Sequence, residues 1–177
     1  MFERIAPRPI DPLMALMQVV RDDPRPEKVD LVVGVYKDEA GEVPILGSVR
    51  AAEARLAETE TTKTYVGMLG DPDFADIART LLLGTGATAA RARSLQTPGG
   101  CGALKVGFDL IASVAPGSRV WVSDPTWANH APIAEGAGLR IASHPWFRAE
   151  DRGLDRAGML ATLAERAQPG DTLLLHA

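Results

Sequence analysis

The stretch Gln96-Thr97-Pro98-Gly99-Gly100-Cys101-Gly102-Ala103-Leu104 puts three glycines within four residues. Arg93–Gln96 before it reads as a short strand. After it, Ala103, Leu104, Val106, Gly107, Leu110, Ile111 and Val114 fall at helical spacing on one face. Glycines in such a turn permit positive φ and let a ligand approach the main chain. The first N–H groups of the helix lack internal partners, and its dipole adds partial positive charge there. Strand, glycine turn and helix N-terminus together make an anion site, most often for phosphate. The dipole supplies only ~0.3–1 kcal/mol when exposed and up to ~2 kcal/mol when partly buried, so a bound phosphate needs further partners. By spacing alone the same residues also make a tight strand-to-helix turn with nothing bound. The stretch is not a P-loop, because no Gly-Lys-Ser/Thr closes it. It is not the G-x-G-x-x-G fingerprint either, since Lys105 stands at the third glycine's place.

Composition excludes several classes of function. Apolar residues are 46% and charged residues 24% of 177, the balance of a globular domain with a sizeable core. A net charge of −4 argues against nucleic acid or an anionic membrane as the main partner. The single cysteine suits a reducing compartment. No segment approaches the ~20 apolar residues of a membrane span, and no signal peptide opens the chain. The expectation is a cytoplasmic protein. His130, His144 and His176 show no metal spacing and read as structural histidines, so no metal site is expected.

Taken in order, Met1–Ile10 reads as an extended arm. Asp11-Pro12 is a cap-and-start signal for a helix with Leu13, Leu16, Met17 and Val20 on one face, ending near Asp22-Asp23-Pro24. Asp30–Tyr36 is a β-like run broken by Gly34, a position suited to close approach of a ligand. Ser48 predicts a helix to about Glu58 with Val49, Ala52 and Leu56 inward. Asp71-Pro72 starts another through Leu83, stopped by Gly84 and Gly86. Arg119–Ser123 is a buried strand that leads into a polar, aromatic elbow, Asp124-Pro125-Thr126-Trp127. A helix over Ala128–Ala137, a strand over Leu139–Ser143, a loop over Pro145–Gly153, a helix around Leu160–Ala164 and a strand over Thr172–His176 follow. From Arg93 onward strand and helix alternate, which predicts an α/β fold with a mostly parallel sheet wrapped by helices. Ligands sit at the C-terminal ends of strands in such sheets, and both the glycine turn and the elbow are at such ends.

Four stretches resemble, in order and spacing along nearly the whole chain, the aspartate/aromatic branch of the class I pyridoxal-phosphate aminotransferases. They are Val33-Gly34-Val35-Tyr36-Lys37-Asp38-Glu39, Thr62-Lys63-Thr64-Tyr65-Val66-Gly67, Gln96–Leu104 and Val120–His130. The resemblance implies the fold-type-I large domain in residues 45–177, incomplete, preceded by an N-terminal arm and small-domain segment in residues 1–44. It implies pyridoxal 5'-phosphate as cofactor, with Gly99, Gly100 and Cys101 at the phosphate and Trp127 stacked on the pyridine ring. Tyr65 matches the tyrosine that reaches the neighbouring subunit's phosphate, which makes the expected assembly a homodimer. Gly34 and Trp127 are the implied substrate-binding positions. The implied reaction moves an amino group from aspartate or an aromatic amino acid to a 2-oxo acid.

The chain departs from the family pattern in three ways. Cys101 replaces the usual threonine and, as a thiol, is a poorer donor. Ala128 replaces a proline. The family's Schiff-base lysine, its pyridine-pairing aspartate, its Asn-Pro-Thr-Gly segment and its substrate arginine have no counterpart within these residues, and none of Lys28, Lys37, Lys63 and Lys105 matches that lysine. The apolar strand at Leu173–Ala177 makes the sequence read as cut short. The expectation is therefore an N-terminal part without transaminase activity by itself. Alternatives are a non-catalytic remnant and a ligand-binding α/β module, for instance one for nucleotides.

Overall fold

Four consecutive side chains, Val120, Trp121, Val122 and Ser123, are buried in strand β1, Arg119–Asp124. The computed structural model describes Glu3 and residues 12–175. Burial on both faces is the property of a strand inside a parallel sheet. β1 pairs in parallel with β2, Arg140–Pro145, in a register running from Arg119↔Arg140 to Asp124↔Pro145. On its other side it pairs in parallel with β5, Thr172–Leu173, at Val120↔Thr172 and Trp121↔Leu173, so the order is β2-β1-β5. The C-terminal ends of all three strands therefore point the same way.

Alternation along β1 divides the core. Val120 and Val122 join Phe108, Ala134 and Leu139 in one cluster, formed with helices α5, Gly99–Val114, and α6, His130–Gly136. Trp121 points to the opposite face, where the guanidinium of Arg166 on helix α7, Arg156–Arg166, lies 5.8 Å from its ring. Helices thus cover both faces, as the alternation of elements predicts. The residues of α5 that turn inward are Leu104, Phe108, Ile111 and Ala112. Val106, Leu110 and Val114, expected inward, are exposed. The helix is apolar over more than half its circumference, so spacing alone does not say which arc the sheet covers.

The chain folds as two compact units, Met1–Lys63 and Thr64–Ala177. The first contains helix α1, Pro12–Asp22, and helix α2, Gly47–Thr59. The predicted cap Asp11 and the predicted arm, Glu3 apart, lie outside the described residues, as does His176 of the last strand. α2 begins after Leu46 rather than at Ser48, and no residue in it is buried; Val49, Ala52 and Leu56 are all exposed. Its apolar spacing marks a face, not what covers it. Asp30–Tyr36 forms no strand. Val35 N–H bonds Val33 O across 2.9 Å, so Gly34 is the centre of a three-residue turn.

In the second unit, α3 spans Pro72–Leu83 as predicted, with Asp71 Oδ1 accepting from Phe74 N–H at 2.8 Å and Gly84 as C-cap at φ +69°. A short helix that the sequence does not announce, α4, Ala87–Arg91, follows. Arg93–Gln96, expected to be a strand, belongs to none of the sheets. It is tied instead to a loop: Gln96 N–H donates to Leu69 O at 2.9 Å, and Asp71 N–H donates to Gln96 Oε1 at 3.0 Å. Within the expected Pro145–Gly153 loop lies β3, Phe147–Arg148, which pairs antiparallel with β4, Gly153–Leu154. No helix among the described residues is long and apolar enough to cross a membrane.

Candidate functional site

α5 opens on the glycine turn. Its N-cap is Pro98, which makes no side-chain cap. Gly99 has φ +67°, a conformation that costs an L residue ~1–2 kcal/mol. Its N–H donates to Thr97 O at 2.8 Å, and Thr97 Oγ1 donates to Gly99 O at 3.2 Å. The next two amides, of Gly100 and Cys101, precede any intrahelical acceptor, and both residues are exposed. A Cβ on Gly100 would meet nothing within 4 Å, so a side chain at that position would stand in open space. Gly102 has a different reason to be glycine: a Cβ there would lie 3.0 Å from Pro98 Cδ. One glycine turns the chain, one leaves room, and one packs.

The elbow after β1 is braced from within. Ser123 Oγ donates to Pro125 O at 2.8 Å. Thr126 Oγ1 and His130 Nδ1 are hydrogen-bonded at 2.8 Å, and His130 N–H donates to Trp127 O at 3.0 Å. His130 is buried, and its ring meets the Trp127 indole edge-on, 5.3 Å between centroids at 88°. Trp127 is thereby gripped while 39% of it stays exposed. A tryptophan with no role beyond packing is ordinarily sunk further, as Trp121 is at 1%. Asn129 completes the arrangement by donating from Nδ2 to Cys101 Sγ at 3.7 Å. Through this pair the residue that caps α6, just past the elbow, touches the first turn of α5.

The structure thus brings together Gly99, Gly100, Cys101 and the Trp127 elbow. Tyr65 belongs to the same unit and is fully exposed. Gly34 belongs to the other unit, where a Cβ on it would meet nothing within 4 Å. Sequence reasoning gives Asn129 no role and takes His130 as merely structural. The signal for both was their place within three residues of Trp127. The four lysines all have partners: Lys28 Nζ donates to Val20 O at 2.8 Å and Asp23 O at 2.7 Å, Lys37 pairs with Asp30 at 3.0 Å, Lys63 with Glu60 and Lys105 with Asp109.

The family described as "Aminotransferase class I and II" matches residues 26–177. The aspartate aminotransferase of Salmonella typhi is 46% identical to the chain, over 99% of the chain and 45% of the relative. The aromatic-amino-acid aminotransferase of Paracoccus denitrificans is 47% identical, over 99% and 44%. A crystal structure of the aromatic-amino-acid aminotransferase of Burkholderia pseudomallei, covalently bound to pyridoxal phosphate, superposes with a TM-score of 0.92 at 35% identity, over 99% of this chain and 45% of that one. The chain spans about 45% of the length of the curated relatives it matches. The parallel α/β sheet, the order of its motifs and a family match over most of its length place this chain in the class I and II aminotransferase family.

Proposed function

We propose that these residues supply the phosphate grip and the stacking ring of a pyridoxal-phosphate-dependent aminotransferase that acts on aspartate or aromatic amino acids. The observation that carries this reading is the Asn129–Cys101 contact, which ties the segment two residues past the partly exposed Trp127 to the first turn of α5. The residues suit the cofactor. Two outward amides at the start of a 16-residue helix answer a dianionic phosphate, and the missing Cβ of Gly100 leaves room for its oxygens. The exposed Trp127 surface offers a flat ring an apolar partner.

Pyridoxal phosphate, when bound, supplies the electron sink that lets an amino group pass between an amino acid and a 2-oxo acid. The chain's own residues bind and orient. Gly100 and Cys101 N–H donate to phosphate oxygens. Trp127, held by His130, would offer its exposed surface as the stacking partner of the heterocycle. Gly34, at the centre of its turn, offers backbone unobstructed by a side chain to the substrate carboxylate. Tyr65, fully exposed, is the residue that would reach the phosphate site of a second subunit in a homodimer. On this reading residues 1–44 are arm and small-domain segment, and 45–177 belong to the cofactor-binding domain.

Equilibrium binding of pyridoxal phosphate to the full product of the reading frame tests the proposal. Micromolar or tighter binding that weakens in Trp127→Ala is the expected result. Binding of a nucleotide in preference to pyridoxal phosphate would overturn it.

A further inference from the structure

Cys101 stands where a hydroxyl donor is the family's usual choice, and a thiol is a weak donor. In this structure the sulfur is not alone. Asn129 Nδ2 donates to Cys101 Sγ at 3.7 Å from the elbow across the site, and Cys101 is exposed on its remaining side. A sulfur that accepts a hydrogen bond has its S–H turned away from that donor. Accepting also polarises the S–H bond, because hydrogen bonds in a chain strengthen one another. The neighbouring Gly100 is exposed too, and a Cβ on it would meet nothing within 4 Å.

We infer that Asn129 is a positioning residue for the phosphate grip: by holding Cys101 Sγ as an acceptor it aims the thiol proton at the anion and sets the gap between elbow and helix end. This rests on the proposed cofactor site. Asn129 acts through Cys101 rather than by touching the ligand. The relation is also reciprocal, since loss of the thiol leaves the Asn129 amide without its sulfur partner. Substituting either residue therefore undoes the same device.

The test uses the full product of the reading frame in its apo form, with pyridoxal phosphate, inorganic phosphate and pyridoxal as three separate probes. Asn129→Ala is expected to weaken pyridoxal phosphate and phosphate by about three- to tenfold, the scale of one hydrogen bond, and pyridoxal much less. Cys101→Ala is expected to do the same, and the double variant to lose no more than either single one, because both remove one coupled unit. Asn129→Asp preserves shape but replaces the donor with a negative charge. It is expected to slow alkylation of Cys101 by iodoacetamide, followed on the Cys101 peptide, because a carboxylate beside sulfur disfavours the thiolate. Additive losses, unchanged phosphate affinity in Asn129→Ala, or an unchanged alkylation rate in Asn129→Asp would overturn the inference. If the unsubstituted protein binds neither pyridoxal phosphate nor phosphate, the cofactor-site reading falls first and this inference with it.

Discussion

Trp121 donates its indole N–H to Asp171 Oδ2 across 2.9 Å, joining the middle of β1 to the residue that leads into β5. The same carboxylate accepts from Arg119 N–H at 3.2 Å and Gln168 N–H at 2.9 Å and pairs with the Arg119 guanidinium at 2.8 Å. Burial pushes its pKa up, but the hydrogen bonds from Trp121, Gln168 and Arg119 outweigh burial and hold it well below the ordinary carboxylate range. The charge is needed where it sits, since it gathers donors from three residues, Arg119, Trp121 and Gln168, at the N-terminal edge of the sheet.

A carboxyl with a depressed folded-state pKa stabilises the fold above its unfolded value, 3.8, and loses that contribution as pH falls below it. Asp171→Asn is expected to cost about 1–3 kcal/mol at pH 7, as removal of a charged partner from a satisfied network does. The gap between variant and unsubstituted protein should narrow as the pH drops below about 4. Denaturant unfolding at pH 7, 5 and 3.5 measures this; a gap independent of pH would contradict it.

Gly99 and Gly100 separate stability from binding. Gly99→Ala forces an L residue to φ +67° and should destabilise by about 1–2 kcal/mol. Gly100→Ala adds a methyl group in open space within a helix and should leave stability unchanged or raise it by up to about 1 kcal/mol. On the proposed phosphate grip that methyl group adds bulk beside the donating amides, so Gly100→Ala is expected to weaken pyridoxal phosphate by about tenfold. Thermal melts and cofactor titration of the two variants check the reversal.

Trp127 is gripped at its edge and open at its surface, which predicts small stability losses and large binding losses. Trp127→Ala should melt close to the unsubstituted protein and bind cofactor more weakly by ~0.5–1.5 kcal/mol from the ring pair, with lost burial in addition. Trp127→Phe should recover part of that affinity. Tryptophan fluorescence quenched by added pyridoxal phosphate, and unquenched in Trp127→Phe, reads the contact directly.

Each lysine in the chain is held by a carboxylate or by carbonyl oxygens. An amine held in such hydrogen bonds is not placed to attack a carbonyl as a nucleophile. Borohydride reduction in the presence of pyridoxal phosphate is expected to leave no stoichiometric modification at Lys28, Lys37, Lys63 or Lys105. Peptide mapping that finds one of them fully modified would show that the amine is freer than its ion pair implies.

Much of this molecule is legible in the order of its residues. Asp71-Pro72 with Gly84 at the far end bounded α3 to the residue, because caps and stops are local chemistry. The apolar run Val120–Val122 announced a strand buried on both faces. Arg93–Gln96 and Asp30–Tyr36 failed as strands because a strand is a pairing, and β propensity does not supply the partner. The spacing in α5 marks a helix but not its buried arc: Phe108, not Leu110 or Val114, meets the sheet.

Order along the chain determined the alternating elements, the glycine turn at the start of α5 and the aromatic elbow after β1, all of which depend on neighbours a few residues apart. Only the tertiary structure decided that Asn129 touches Cys101, 28 positions away, that His130 clamps Trp127, and that Gly102 packs while Gly100 leaves space. The first is a distance between segments far apart in the chain, set by how β1 and α5 pack on one shared core; the other two are side-chain and backbone placements within short segments, and spacing in a sequence carries no measure of any of them.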